Sequence, residues 1–95
     1  MTQTIIRIPT PLRSLTDGAA EVAVEGHDVA AALQELGRRH EGILERVLDE
    51  SGNLRPFVNV FLDSTNLREL DGLDTRLRAG VVLSIIPAVA GGGRS

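Results

Sequence analysis

Val81-Val82-Leu83-Ser84-Ile85-Ile86, closed by Pro87, is the stretch on which the fold turns. It is rich in β-branched side chains, which favour the pleated backbone. The run is almost uninterrupted in its apolar character, which predicts a strand flanked on both sides within a sheet rather than one at its edge. Proline has a fixed φ and no amide to donate, so the strand is expected to stop there. A second apolar segment, Thr4-Ile5-Ile6-Arg7-Ile8, ends in the same way at Pro9-Thr10-Pro11 and predicts the first strand. The simplest arrangement places the last strand parallel to the first and beside it.

The residues between these two strands supply the other elements. After the turn-rich Ser14 to Gly18, Glu21-Val22-Ala23-Val24-Glu25 alternates polar and apolar residues, the period of a half-buried strand. This strand is expected to pair with the first as a hairpin with a long loop. Val29, Ala32, Leu33 and Leu36 then recur at helical spacing, with Asp28 placed as N-cap, Arg38, Arg39 and His40 at the negative end of the dipole, and Gly42 as terminator. Ile43 to Leu48 predicts a further short helical turn, and Ser51-Gly52-Asn53 a break. Phe57-Val58-Asn59-Val60-Phe61-Leu62 reads as the third strand, Asp63 to Asn66 as a turn, and Leu67 to Glu69 as a short fourth strand. Leu73 and Leu77 are expected to anchor a polar loop. A β-β-α-β-β-β order with one amphipathic helix and a central final strand fits an α+β fold of the ubiquitin-like β-grasp type. Such a fold is a mixed sheet of about five strands around one main helix. The domain is expected to span residues 1–87 and to be followed by a flexible glycine-rich tail, 88–95.

Ninety-five residues suffice for one modest core. An apolar share of 42% and a charged share of 24% belong to a globular chain. With a net charge of −3 and arginines scattered along the chain, no clustered basic face is expected for nucleic acid. No apolar run approaches a membrane span, and the first residues lack the pattern of a secretion signal, so the expected location is the cytoplasm. All ten basic residues are arginine, and lysine, cysteine, tyrosine and tryptophan are absent. This excludes thiolate nucleophiles, Schiff-base lysines, disulfides and cysteine-ligated metals. No catalytic residue is assigned. His27 and His40, without convergent partners at ligand spacing, are expected to be structural or solvated, so no metal site is assigned; Asp49-Glu50 reads as solvated charge.

After Pro87 the chain reads Ala88-Val89-Ala90-Gly91-Gly92-Gly93-Arg94-Ser95. On composition alone this is either a frayed terminus or a thread able to enter a narrow tunnel, since glycine carries no Cβ to obstruct it. Three stretches together resemble the ubiquitin-like sulfur carriers of the MoaD/ThiS class, and in particular the actinobacterial carriers of cysteine biosynthesis. These are Ile8-Pro9-Thr10 with Leu12-Arg13, the strand Phe57-Val58-Asn59-Val60, and Ile86-Pro87-Ala88-Val89-Ala90-Gly91-Gly92. The resemblance implies a protein co-substrate rather than an enzyme. It implies that an E1-like enzyme consumes ATP to adenylate Gly92, that sulfur delivery converts Gly92 to a thiocarboxylate, and that Val89, Ala90 and Gly91 thread into the partner's active site. It further implies a sulfur-accepting, pyridoxal-phosphate-dependent cysteine synthase and a JAMM-type zinc peptidase, with no cofactor bound to the carrier itself. Relatives in the family end at Gly-Gly, so Gly93, Arg94 and Ser95 are expected to be a removable extension, the match in register fixing Gly92 as the mature end. The resemblance also admits a small subunit of molybdopterin synthase; a ubiquitin-like modifier or a β-grasp docking module with an inert tail stands beside it.

Alternation along the third strand puts Phe57, Asn59 and Phe61 on one face and Val58, Val60 and Leu62 on the other. If the aliphatic trio faces the helix, Phe57 and Phe61 form an apolar patch on the open face where a partner can dock, with Leu67, Arg68 and Arg13 as a rim. The reverse assignment, with both phenylalanines in the core, is equally compatible with the pattern.

Overall fold

The computed structural model describes residues 3–87. The chain runs through β1 (Gln3–Arg7), a 3₁₀ segment (Thr10–Thr16), β2 (Glu21–Glu25), α1 (Val29–Arg39), α2 (Leu44–Val47), β3 (Val58–Leu62) and β4 (Thr65–Asn66). Two short 3₁₀ turns, Leu67–Glu69 and Gly72–Asp74, then lead to β5 (Val82–Pro87). The five strands form one sheet in the order β2-β1-β5-β3-β4. The last strand is therefore central. It lies parallel to β1, with Ile6 opposite Leu83, and antiparallel to β3, with Val60 opposite Ile85. β1 and β2 form the expected long-looped antiparallel hairpin.

Helix α1 packs on one face of this sheet because its sequence gives it one apolar stripe. Val29, Ala32, Leu33 and Leu36 are all buried, and they meet Ile6, Val22, Val24, Val58, Val60, Leu83 and Ile85 from the strands. Asp28 caps the helix as expected, its Oδ1 accepting the amide of Ala31 at 2.8 Å. Gly42 takes a φ of +93° just after the helix, a conformation that L side chains rarely adopt. Ile43 and Val47 close the core beneath α2, and Leu77 is buried where its amide donates to the carbonyl of His27 at 3.0 Å.

Two expectations need correction, and a third gains detail. The fourth strand is not Leu67 to Glu69 but Thr65–Asn66, paired with Leu62 and Phe61. The Asn66 side chain accepts the amide of Arg68 at 2.9 Å, which turns the backbone out of the ladder into a 3₁₀ turn and drives Leu67 fully into the core. The third strand starts at Val58, because Pro56-Phe57 sits in a turn closed by the Val58 amide on the Arg55 carbonyl at 3.0 Å. Finally, β5 is flanked by strands on both sides, but only one of its faces is covered. Leu83 and Ile85 point to the core, while Ile86 is 47% exposed.

Candidate functional site

The functional expectations drawn from the sequence converge on the chain that follows β5, and the end of that strand fixes where the site begins. Pro87 is its last residue and sits opposite Val58, the first residue of β3. The described chain thus ends at the middle of the sheet, beside the turn that precedes β3. Gly92, the expected acyl site, with Val89, Ala90 and Gly91 and the expected extension Gly93, Arg94 and Ser95, lies outside the described residues.

Around this exit the structure arranges two surfaces. Phe57 is 56% exposed and, being in the turn, does not follow the alternation of β3. It lines a groove of about 520 Å³ whose floor and walls are Pro11, Leu12, Val58, Ile85 and Pro87, with Glu45, Arg46 and Arg55 at the rim. Phe61 is half-buried on the open face of the sheet, opposite Ser84, and shares that face with Ile86. Val58 and Val60 are buried toward the helix, so the arrangement with the aliphatic residues inward is the one adopted. The two phenylalanines therefore serve different surfaces: one the groove, the other the open sheet.

The turn carrying Phe57 is held firmly. Arg68 extends back over it, donating from Nη2 to the carbonyls of Arg55 at 2.9 Å and Val58 at 2.8 Å, and from Nε to Asn59 Oδ1 at 3.3 Å. Arg55 donates from Nε to the carbonyl of Glu45 at 2.8 Å, tying the turn to α2. Arg68 is thus a clamp on the loop rather than the rim of a patch. Leu67, the other expected rim residue, is fully buried, and Arg13 is engaged through Nε with the Ile8 carbonyl at 3.0 Å.

Neither histidine lines the groove. His27 projects into solvent with Nε2 3.7 Å from Asp28, and His40 caps the end of α1. Among the described residues, no group of three histidines or carboxylates is placed to hold a metal ion, and no helix is long and apolar enough to cross a membrane. The sequence reading assigns none of the groove residues Pro11, Leu12, Arg46 and Arg55, nor the exposed Ile86, to a surface. For Ile86 a signal was available: an apolar residue two positions after Ser84 lies on the same face as that serine.

Known proteins place this geometry. The model of the ThiS family matches residues 6–92. The sulfur carrier protein CysO of Mycobacterium tuberculosis is 38% identical over 89 residues, covering 92% of this chain and 96% of that protein. A chain of the Amycolatopsis orientalis BexX/CysO complex superposes with a TM-score of 0.88 at 36% identity, covering 94% of this chain and 99% of its own. The small archaeal modifier protein 1 of Methanosarcina acetivorans superposes with a TM-score of 0.82 at 26% identity, covering 97% of this chain and 98% of its own.

Proposed function

This chain belongs to the ThiS family, and on that premise we propose that it is a sulfur carrier that serves cysteine formation in the cytoplasm, with Gly92 as the atom-carrying residue. The observation that carries the reading is a family match that runs through the whole domain and stops at residue 92, the second glycine after Ala90. The chain is a co-substrate, not an enzyme.

The chemistry follows from the terminus. A carboxylate is a poor electrophile until one of its oxygens becomes part of a better leaving group. A carboxylate oxygen of Gly92 attacks the α-phosphorus of ATP on an E1-like enzyme, pyrophosphate leaves, and the acyl-adenylate results. Hydrosulfide, HS⁻, then attacks the acyl carbon, AMP leaves with the oxygen bonded to phosphorus, and loss of the proton leaves a thiocarboxylate at Gly92. Glycine suits this role because its carbonyl is the least hindered acyl centre a protein offers. Val89, Ala90 and Gly91 are small enough to follow into the enzyme, Gly93-Arg94-Ser95 is removed first, and a zinc peptidase of the JAMM type suits cleavage at such a tail. The acceptor is a pyridoxal-phosphate-dependent synthase that makes cysteine. The exposed Phe57 and the open face bearing Phe61 and Ile86 are the surfaces such partners cover.

Intact mass tests this directly. The form ending at Gly92, incubated with ATP, the host's E1-like enzyme and a sulfur source, should gain the difference between sulfur and oxygen. The form ending at Ser95 should not. An unchanged mass for the Gly92 form, with the same enzyme proven active on another carrier, overturns the reading. The likeness to a small archaeal modifier protein supports a second use of the same acyl end, transfer to amines of other proteins. Amide-linked conjugates in the host, lost when Gly92 is deleted, would mark it.

A further inference from the structure

The described sheet has two edges, and one of them is long. β4 is two residues and turns out of the ladder at once, whereas β2 runs for five residues along the outside of the sheet. The pairing fixes which of its backbone groups face outward. The Ala20 carbonyl accepts the Ile8 amide at 2.8 Å, and backbone groups alternate in direction along a strand. Val22 and Val24 are therefore turned to β1, and Glu21, Ala23 and Glu25 are turned away from it. Ile5 agrees from the other side: it lies opposite Ala23, yet its amide donates to the Val81 carbonyl, away from β2. A row of outward amides and carbonyls on a regular strand is a template for a further strand.

Arg39 closes this row at its centre. It is the last residue of α1, and its Nη1 donates to the Ala23 carbonyl at 2.6 Å, sixteen residues away in sequence. Its Nε donates to Glu35 Oε2 at 3.1 Å, so the carboxylate one turn back aims the guanidinium at the strand. An ion pair along the helix accounts for the Nε contact alone; the reach to β2 is a separate bond. Arg38 also faces Glu35, at 3.6 Å, and makes no side-chain hydrogen bond to a strand among the described residues. Ala23 is the middle one of the three outward residues, so a strand laid along the centre of β2 needs the carbonyl that the guanidinium occupies. Exposed Glu21 and Glu25 flank it. If β2 paired antiparallel with β2 of a second copy, centred on Ala23, Glu21 of each copy would lie directly opposite Glu25 of the other. Like charges placed directly opposite destabilise a strand pair.

We propose that Arg39 is a guard that keeps the β2 edge from pairing with β2 of a second copy, with Glu21 and Glu25 as a second barrier. The guard acts at the side of the sheet and does not depend on the chemistry at Gly92.

The test uses the full chain carrying Glu21→Thr and Glu25→Thr, which removes the charge barrier and raises strand propensity, with and without Arg39→Ala. Sedimentation velocity over a range of concentrations gives the dimer Kd. Arg39→Ala should lower it by about tenfold, the scale of two exposed hydrogen bonds that no longer have to break for each dimer. Arg39→Met, which keeps the apolar stem and has no donor, should do the same, and Arg38→Ala should leave Kd unchanged. In the dimer, the amides of residues 21, 23 and 25 should exchange with solvent more slowly than in the monomer. The unmodified chain should stay monomeric at every concentration. All three substituted positions are exposed, and matching thermal unfolding midpoints show that the fold is kept. Equal Kd with and without Arg39, or monomers throughout, overturns the proposal. So does a dimer in which those three amides stay unprotected, or an unmodified chain that dimerises with them protected.

Discussion

Thr4 sits fully buried on the core side of β1, and its hydroxyl is the buried side-chain polar atom left without a hydrogen-bond partner among the described residues. An orphaned hydroxyl carries its desolvation cost uncompensated. Thr4→Val keeps the β-branched shape and removes that cost, so it should stabilise the fold by about 1 kcal/mol, read as a higher denaturant midpoint at constant slope. A lower midpoint would show that the hydroxyl is satisfied after all. Gly26 illustrates the opposite constraint. A Cβ there would lie 2.6 Å from the amide nitrogen of Ala32, inside the first turns of α1, where backbone cannot move aside. Gly26→Ala should cost about 1–3 kcal/mol, the range for overpacking, and a thermal midpoint equal to that of the unmodified chain would refute the contact. Neither residue announced its role in the sequence. Thr4 reads as a good strand former and Gly26 as a turn glycine; the orphaned hydroxyl and the close approach arise from residues brought up by packing.

At the scale of elements, local signals carried furthest where they were physical rules acting within a few residues. The N-cap of α1 is such a case: Asp28→Ala removes the acceptor for the Ala31 amide and should cost about 1 kcal/mol. Asp28→Asn, which keeps an acceptor oxygen, should recover most of it; unchanged stability in Asp28→Ala would mean the cap contributes nothing. The strand β2, with its strict alternation, spans the residues that the alternation predicts. The fourth strand did not, because apolar Leu67 suggested a strand while the Asn66 side chain was free to close a turn on the Arg68 amide. That is a competition between a side chain and a ladder, which the side chain wins here. Phe57 departs from the expected alternation for a related reason. The alternation begins only at Val58, because Pro56 and the Arg55 carbonyl make a turn before it. The clamp from Arg68 spans ten to thirteen residues and has no local signature at all.

For the whole molecule, every buried core residue among the described residues lies between Thr4 and Ile85. Deleting residues 91–95 should therefore leave the thermal unfolding midpoint within about 1–2 °C, well under the shift expected for a loss of 1 kcal/mol in a domain of this size, while abolishing thiocarboxylate formation by intact mass. A large drop in midpoint would mean that the terminus packs on the domain. The sequence by itself determined the order of elements, the centrality of β5 beside β1 and the membership of α1's buried stripe, because apolar periodicity, prolines and caps act through short-range sterics and burial. It also pointed to Gly92, since resemblance in a tail is a matter of residue order. Only the tertiary structure decided that β5 is covered on one face and leaves Ile86 exposed, that Phe57 and Phe61 belong to different surfaces, and that Pro11, Leu12, Arg46 and Arg55 gather at the exit of the tail. Those features join segments up to 76 residues apart, from Pro11 to Pro87, and no pattern along the chain encodes which distant side chains will share a surface once the sheet has closed over its helix.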